Sequence, residues 1–171
     1  KISTRFIQSN SGITISAARC FLKMSNLIDK STLNGELFER IILSLVSLFN
    51  NGHEIQYSIL KSIFVILQKY HNLFKEDVDI FYCKYDDPLY VKLEKIDIIL
   101  TLTTDQNIGK VLEEFYNYAW FQHESIEFVR KSIQAIGRLA IVFEKVSKKC
   151  VDYIESLIQS RLQYIVQECI V

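Results

Sequence analysis

Residues 126–143 read IEFVRKSIQAIGRLAIVF, and within them Ile126, Val129, Ile133, Ile136, Ala140 and Phe143 recur at alternating steps of three and four. That step returns a side chain to the same face about once per turn, so the segment reads as a long amphipathic helix with one side in a core. Val146, Cys150, Ile154, Leu157 and Ile158 mark the helix that follows. Upstream, Ile108, Val111, Leu112 and Phe115 form a stripe that Thr104 or Asp105 is expected to cap. Before it, Asp86-Asp87-Pro88 introduces a helix carrying Leu89, Leu93, Ile96 and Leu100. Asp87 is placed there to cap the free N–H groups, with Pro88 in a first-turn position that has no N–H partner to lose.

The same period extends in both directions. Leu37, Phe38, Ile41, Ile42, Leu45, Leu48 and Phe49 make one stripe, which Asn50-Asn51-Gly52 ends, and Ile55, Ile59, Leu60, Ile63, Phe64 and Leu67 make the next. A shorter apolar stretch runs from Val78 to Cys83, and Ile13 to Ile28 fits a further helix rich in Thr and Ser. Ser160-Arg161-Leu162-Gln163 has the form of a capping box ahead of Leu162, Ile165, Val166, Cys169 and Ile170.

Alternate helices open on one recurring triplet: Ile55-Gln56-Tyr57, Pro88-Leu89-Tyr90, Ile126-Glu127-Phe128 and Leu162-Gln163-Tyr164, whose aromatic residues are 33, 38 and 36 apart. A period that wobbles around 36, with two amphipathic helices per unit, is the pattern of a HEAT or armadillo α-solenoid. A tetratricopeptide array holds closer to 34 and shows small-residue positions absent here. The expected fold is therefore all-α: a right-handed superhelical stack of four to five helix pairs. Residues 1–171 form a fragment of one solenoid, with first helices starting near 13, 54, 88, 125 and 161, and the four triplet aromatics occupy equivalent places in them.

Composition agrees. Five Gly and one Pro in 171 residues leave too few turn formers for a sandwich of short strands. Twenty Lys+Arg balance twenty Asp+Glu, so no net field draws the chain to nucleic acid or an anionic membrane, and no nucleic-acid partner is expected. Apolar runs reach only five residues, at Ile63–Leu67 and Leu139–Phe143, which implies a soluble segment. A chain that begins at Lys1 and stops inside an apolar period reads as an excerpt of a longer polypeptide.

Catalysis has no visible foothold. Cys20, Cys83, Cys150 and Cys169 form no C-x-x-C pair and read as small buried hydrophobes in a reduced, cytosolic compartment. His53, His71 and His123 lie in linkers or at helix ends without metal-ligand spacing, and the scattered glycines cradle no phosphate, so neither metal nor cofactor is expected. Asp86-Asp87 lacks the further oxygen ligands of a cation site and suits capping. Gly137 costs about 1 kcal/mol in mid-helix, which close helix packing would offset. Lys145, Lys148 and Lys149 are the densest basic cluster, readable as a solvated face or as a contact for lipid headgroups or an acidic partner. Tyr116, Tyr118, Trp120 and Phe121 concentrate aromatic surface, readable as packing between repeats or as a partner contact.

Three longer words carry a resemblance. Lys84-Tyr85-Asp86-Asp87-Pro88-Leu89-Tyr90-Val91-Lys92-Leu93-Glu94-Lys95-Ile96-Asp97, Phe128-Val129-Arg130-Lys131-Ser132-Ile133-Gln134-Ala135-Ile136-Gly137-Arg138 and Tyr164-Ile165-Val166-Gln167-Glu168 closely resemble the trunk of the β-adaptins, large subunits of clathrin adaptor complexes. The likeness runs from about Glu54 to Val171; upstream there is only a compatible helical pattern. It implies a non-enzymatic scaffold that joins a second large subunit, a medium subunit and a small subunit, with clathrin reached through regions outside residues 1–171. It also implies a cytoplasmic location, peripheral on coated-vesicle membranes of the Golgi and endosomes or the plasma membrane. Tyr164 lies in a word resembling the trunk segment that covers the medium subunit's pocket for tyrosine-based sorting signals in closed complexes, and the neighbouring contact falls near Glu124, an acid where an apolar residue is expected. The linker Trp120-Phe121-Gln122-His123-Glu124 departs from the family's short, acidic and aliphatic stretch. The competing reading is a HEAT-repeat regulatory subunit or transport receptor holding a single protein partner.

Overall fold

Long amphipathic stripes with few breakers fold as expected into helices. The computed structural model describes Gly12, Ser16 and residues 45–49, 52–69, 78–120, 125–159 and 162–170. The chain divides into two compact units, Lys1–Phe74 and Lys75–Val171, each treated by itself. The expected helix over Ile13 to Ile28, most of the stripe that starts at Leu37, and Asn50, Asn51, Ser160 and Arg161 lie outside the described residues.

In the first unit, α1 spans His53–Lys69. Gly52 precedes it with φ +115°, a left-handed value that glycine adopts without a Cβ penalty, and its carbonyl accepts the Gln56 N–H at 3.0 Å. Ile59, Leu60, Ile63 and Leu67 are fully buried, as their stripe predicts, and Ile66 joins them.

The second unit contains a 3-10 turn at Val78–Phe81, then α2 (Leu89–Leu102), α3 (Ile108–Trp120), α4 (Ile126–Val142), a 3-10 turn at Glu144–Val146, α5 (Ser147–Gln159) and α6 (Gln163–Ile170). No strand occurs among the described residues. α4 packs against α2, α3, α5 and α6, while α3 also meets α5 and α5 meets α6. Contacts between each helix and the second one along place α2, α4 and α6 in one layer and α3 and α5 in another, the arrangement of an α-solenoid.

Side chains tie one repeat to the next at about one repeat of sequence. Lys131 Nζ meets Asp97 at 2.6 Å and Gln134 meets Glu168 at 2.6 Å, each pair 34 residues apart. On the other layer Lys149 meets Glu113 at 2.9 Å, 36 residues apart, and Tyr116 stacks on Tyr153 with ring centroids 4.2 Å apart. The Ser156 hydroxyl donates to Tyr116 Oη at 3.2 Å, 40 residues apart.

Central position widens the buried face of α4. Phe128, Val129, Ser132, Ile133, Ala135, Ile136 and Leu139 are buried, two adjacent stripes where the sequence shows one, whereas Ile126 is 52% exposed. Ser125 caps this helix: its hydroxyl accepts the Phe128 N–H at 3.3 Å. α3 matches expectation closely, burying Ile108, Val111, Leu112 and Phe115. Thr104 stands at its N-terminal turn, with its carbonyl accepting the Ile108 N–H at 3.0 Å and its own N–H held by Asn107 Oδ1 at 2.7 Å.

Two expectations change. Asp87 does not cap α2: Pro88 is the N-cap residue and no side chain bonds the free N–H groups. The Asp87 carboxylate turns back to accept the Lys84 N–H at 2.8 Å and takes Lys95 Nζ at 2.5 Å, with both side chains buried. Burial favours this pairing, because an ionised group out of water needs an opposite charge more than a helix end does. Lys95 also donates to the Tyr82 carbonyl and Lys92 to the Tyr85 carbonyl, both at 3.2 Å, so two lysines of α2 hold the incoming loop. From α3, Tyr118 Oη accepts the Cys83 N–H at 2.7 Å and completes the clamp. The second change concerns Gly137, where an added Cβ would meet nothing within 4 Å, so close packing among the described residues does not explain it.

Tyr90, Phe128 and Tyr164 lie in the first turns of their helices and Tyr57 is the fifth residue of its own, and the four do not share one environment. Phe128 is 2% exposed and lies 5.1 Å from the Tyr118 ring, whereas Tyr90 is 42% exposed and Tyr57 and Tyr164 are half-buried.

Candidate interaction surface

Leu89, Leu93, Ile96 and Leu100 form the stripe the sequence assigns to the core of α2. Only Ile96 is fully buried; the helix instead buries Val91, Ile98, Ile99 and Leu102 together with Lys92 and Lys95. Leu93 and Leu100, half-buried, face a groove of about 500 Å³ between α2 and α4. Across it stand Glu127, Arg130, Gln134 and Arg138, all exposed on α4, and the Lys131–Asp97 ion pair also lines it. None of these stands out as a site in the sequence. Their signal was the polar face of α4, where Arg130, Gln134 and Arg138 recur every fourth residue.

Of the residues singled out in the sequence, Tyr164 lies half-buried in the first turn of α6. Glu124, Phe121, His71, His123 and Cys20 lie outside the described residues. Lys145, Lys148 and Lys149 start the second-layer helix α5 and the turn before it, but they do not act as one free cluster. Lys145 reaches Asp105 at 3.2 Å and Lys149 reaches Glu113 at 2.9 Å, both acids one repeat earlier. The hydrogen bond to Glu113 holds the Lys149 ammonium above its ordinary pKa. Tyr164 and the lysines are thus placed on different helices and layers.

The aromatic group divides. Tyr116 packs between repeats against Tyr153, Tyr118 is buried against Phe115 and Phe128, and Trp120 is 48% exposed, 5.8 Å from Tyr116. Cys83, Cys150 and Cys169 are free thiols, and burial pushes all three up; Cys83 reaches about 12. A thiol held protonated is a poor nucleophile. Burial likewise raises the Tyr118 phenol. Among the described residues no group of three His, Cys, Asp or Glu is placed to hold a metal ion, and no helix is long and apolar enough to cross a membrane.

What the second unit presents is therefore a two-layer helical stack with grooved, charged faces. The family described as "Adaptin N terminal region" matches residues 1–171. The chain belongs to this adaptin family. It is 37% identical over its whole length to AP-1 complex subunit beta-1 of Homo sapiens and 36% identical to AP-1 complex subunit beta of Dictyostelium discoideum. Identity to AP-2 complex subunit beta of Schizosaccharomyces pombe is 33%, again over the whole chain. The chain spans 18% of the length of the first two relatives and 25% of the third. The β-adaptin resemblance carried by three words from Lys84 onward thus holds for the adaptin match as a whole, and it reaches through the region upstream of Glu54, where the sequence alone showed only helical pattern.

Proposed function

We propose that this chain is part of the trunk of a β subunit in a clathrin adaptor complex, a non-enzymatic scaffold that supports complex assembly, cargo selection and coat formation. The observation that carries the reading is the whole-length similarity to β subunits of AP-1 and AP-2 complexes, on a chain folded as stacked helix pairs. Residues 1–171 then belong to one solenoid that meets a second large subunit, a medium subunit and a small subunit. Clathrin is engaged by regions outside these residues, and the complex sits on the cytoplasmic side of coated membranes.

Within this reading Tyr164, half-buried at the start of α6, covers the medium subunit's pocket for tyrosine signals in a closed complex and biases the equilibrium against cargo. Glu124 weakens that cover, because an acid near the pocket replaces an apolar contact. Lys145, Lys148 and Lys149 meet an acidic partner or lipid headgroups, with Lys148 the most available, since its two neighbours already hold acids of the preceding repeat.

The test is co-expression of the full-length protein with adaptor medium and small subunits, followed by size-exclusion chromatography. Stable co-elution is expected; a single exchangeable partner, or none of these subunits, would instead favour a HEAT-repeat receptor. In the assembled complex Tyr164→Ala is expected to tighten binding of a tyrosine-signal peptide, measured by fluorescence anisotropy. Unchanged affinity with intact assembly would leave Tyr164 a packing residue.

A further inference from the structure

We infer that the groove between α2 and α4 binds an extended acidic peptide carrying an aliphatic side chain between two carboxylates. Its apolar wall is the part of the α2 stripe that the fold leaves half-buried: Leu93 and Leu100, seven residues and so about 10 Å apart along the helix. Its cationic wall is the exposed row Arg130, Gln134 and Arg138, in which the two guanidinium-bearing positions are eight residues, about 12 Å, apart. An extended chain rises about 3.3 Å per residue and sends every second side chain to one side, so residues i, i+2 and i+4 span about 13 Å facing one way. Carboxylates at i and i+4 reach the two arginines while an aliphatic residue at i+2 lies over the leucines.

The charges favour an anionic occupant. Lys131 and Asp97 neutralise each other at 2.6 Å, which leaves the arginines as the groups directed at a ligand. Arg130 holds Glu168 only at 3.5 Å and stays 45% exposed, and Arg138 has no carboxylate within ion-pair distance among the described residues. Glu127 on this rim and Glu168 beside Arg130 offset part of that charge, and Arg138 is the cation left without an acid among the described residues. Arginine suits the role because its planar fork takes a carboxylate in two parallel hydrogen bonds. A volume of about 500 Å³ lies within the range of ligand pockets, about 300–1,000 Å³, and takes a side chain with its flanking backbone. The inference stands on this geometry and does not depend on the adaptor reading.

Fluorescence anisotropy with the purified full-length protein and the labelled peptide Ala-Glu-Ala-Leu-Ala-Glu-Ala tests it. Saturable binding is expected. Changing both Glu of the peptide to Gln, or its Leu to Ser, is expected to weaken it about tenfold or more. Arg138→Glu is expected to weaken it by about tenfold or more, and Lys110→Glu on α3 to leave it unchanged. Should Arg138→Glu disturb the helical circular dichroism, Arg138→Gln, with a smaller loss of about threefold, serves in its place. No binding, equal binding by the Gln peptide, or equal binding by the Arg138 variants overturns the proposal. So does an equal loss with Lys110→Glu, which would mark a general charge effect. Binding of inositol hexakisphosphate that depends on Arg138, without binding of the peptide, would make the groove a phosphate site and overturn it as well.

Discussion

Lys95 with Asp87 and Lys145 with Asp105 are the same chemical pair in two parts of the second unit. Lys95 and Asp87 meet at 2.5 Å with 1% and 3% of their side chains exposed; Lys145 and Asp105 meet at 3.2 Å with 81% and 66% exposed. Water screens the second pair and would solvate either partner alone, so its net worth is small. No water replaces a missing partner in the first, where removing one charge strands the other. The clamp over residues 82–87 therefore holds its loop against α2, while the rungs between α3 and α5 only trim the register of layers that apolar burial already holds together.

The largest expected effect follows from stranding a charge. Lys95→Met should lower the free energy of unfolding by about 3–5 kcal/mol in urea titrations, and adding Asp87→Leu should restore much of it. A loss below about 1 kcal/mol would show that water reaches the clamp. Tyr118→Phe comes next: it removes the acceptor for the Cys83 N–H, and a buried donor without a partner costs about 1–3 kcal/mol.

Alkali should find the same region. Cys83 keeps its proton up to about pH 12 in the fold, whereas in the unfolded chain it ionises near 9. Between those values the unfolded chain binds fewer protons, so stability falls as pH rises, by about 1.4 kcal/mol per pH unit for that thiol. Melting temperature across pH 8–11 should decline, less steeply in Cys83→Ala. Gly137→Ala should act with the opposite sign and stabilise by up to about 1 kcal/mol, because the added methyl meets nothing and helix propensity improves. The smallest effect belongs to the rungs: Lys149→Ala should cost about 0.5 kcal/mol or less and nothing measurable in 1 M salt. A loss comparable to that of Lys95→Met would erase the contrast between the two regions.

Legibility in the sequence differed from helix to helix, according to how clearly one apolar side stands out. α3 was read almost residue for residue, because one apolar stripe, Ile108 to Phe115, meets one core. α4 was read as a helix but with half of its buried face, since packing against four helices draws Phe128, Ser132, Ala135 and Leu139 inside as well. On α2 the expected stripe holds for Ile96 but not for its leucines: Val91, Ile98, Ile99 and Leu102 join Ile96 in the core, while Leu93 and Leu100 border a groove. The helix is apolar on both sides, so periodicity could not rank them.

By itself the sequence determined that the chain is helical, that one aromatic triplet recurs about every 36 residues, and that it resembles the β-adaptins, because periodicity, scarce breakers and long shared words are properties of the chain alone. Tertiary structure decided the partners of its charges. Asp87 left a helix end for Lys95, Lys149 and Lys145 crossed to acids 36 and 40 residues away, and Arg130 and Arg138 came to face Leu93 and Leu100. Those outcomes depend on which groups lose water and on which helices lie side by side, and neither is set until the layers have packed.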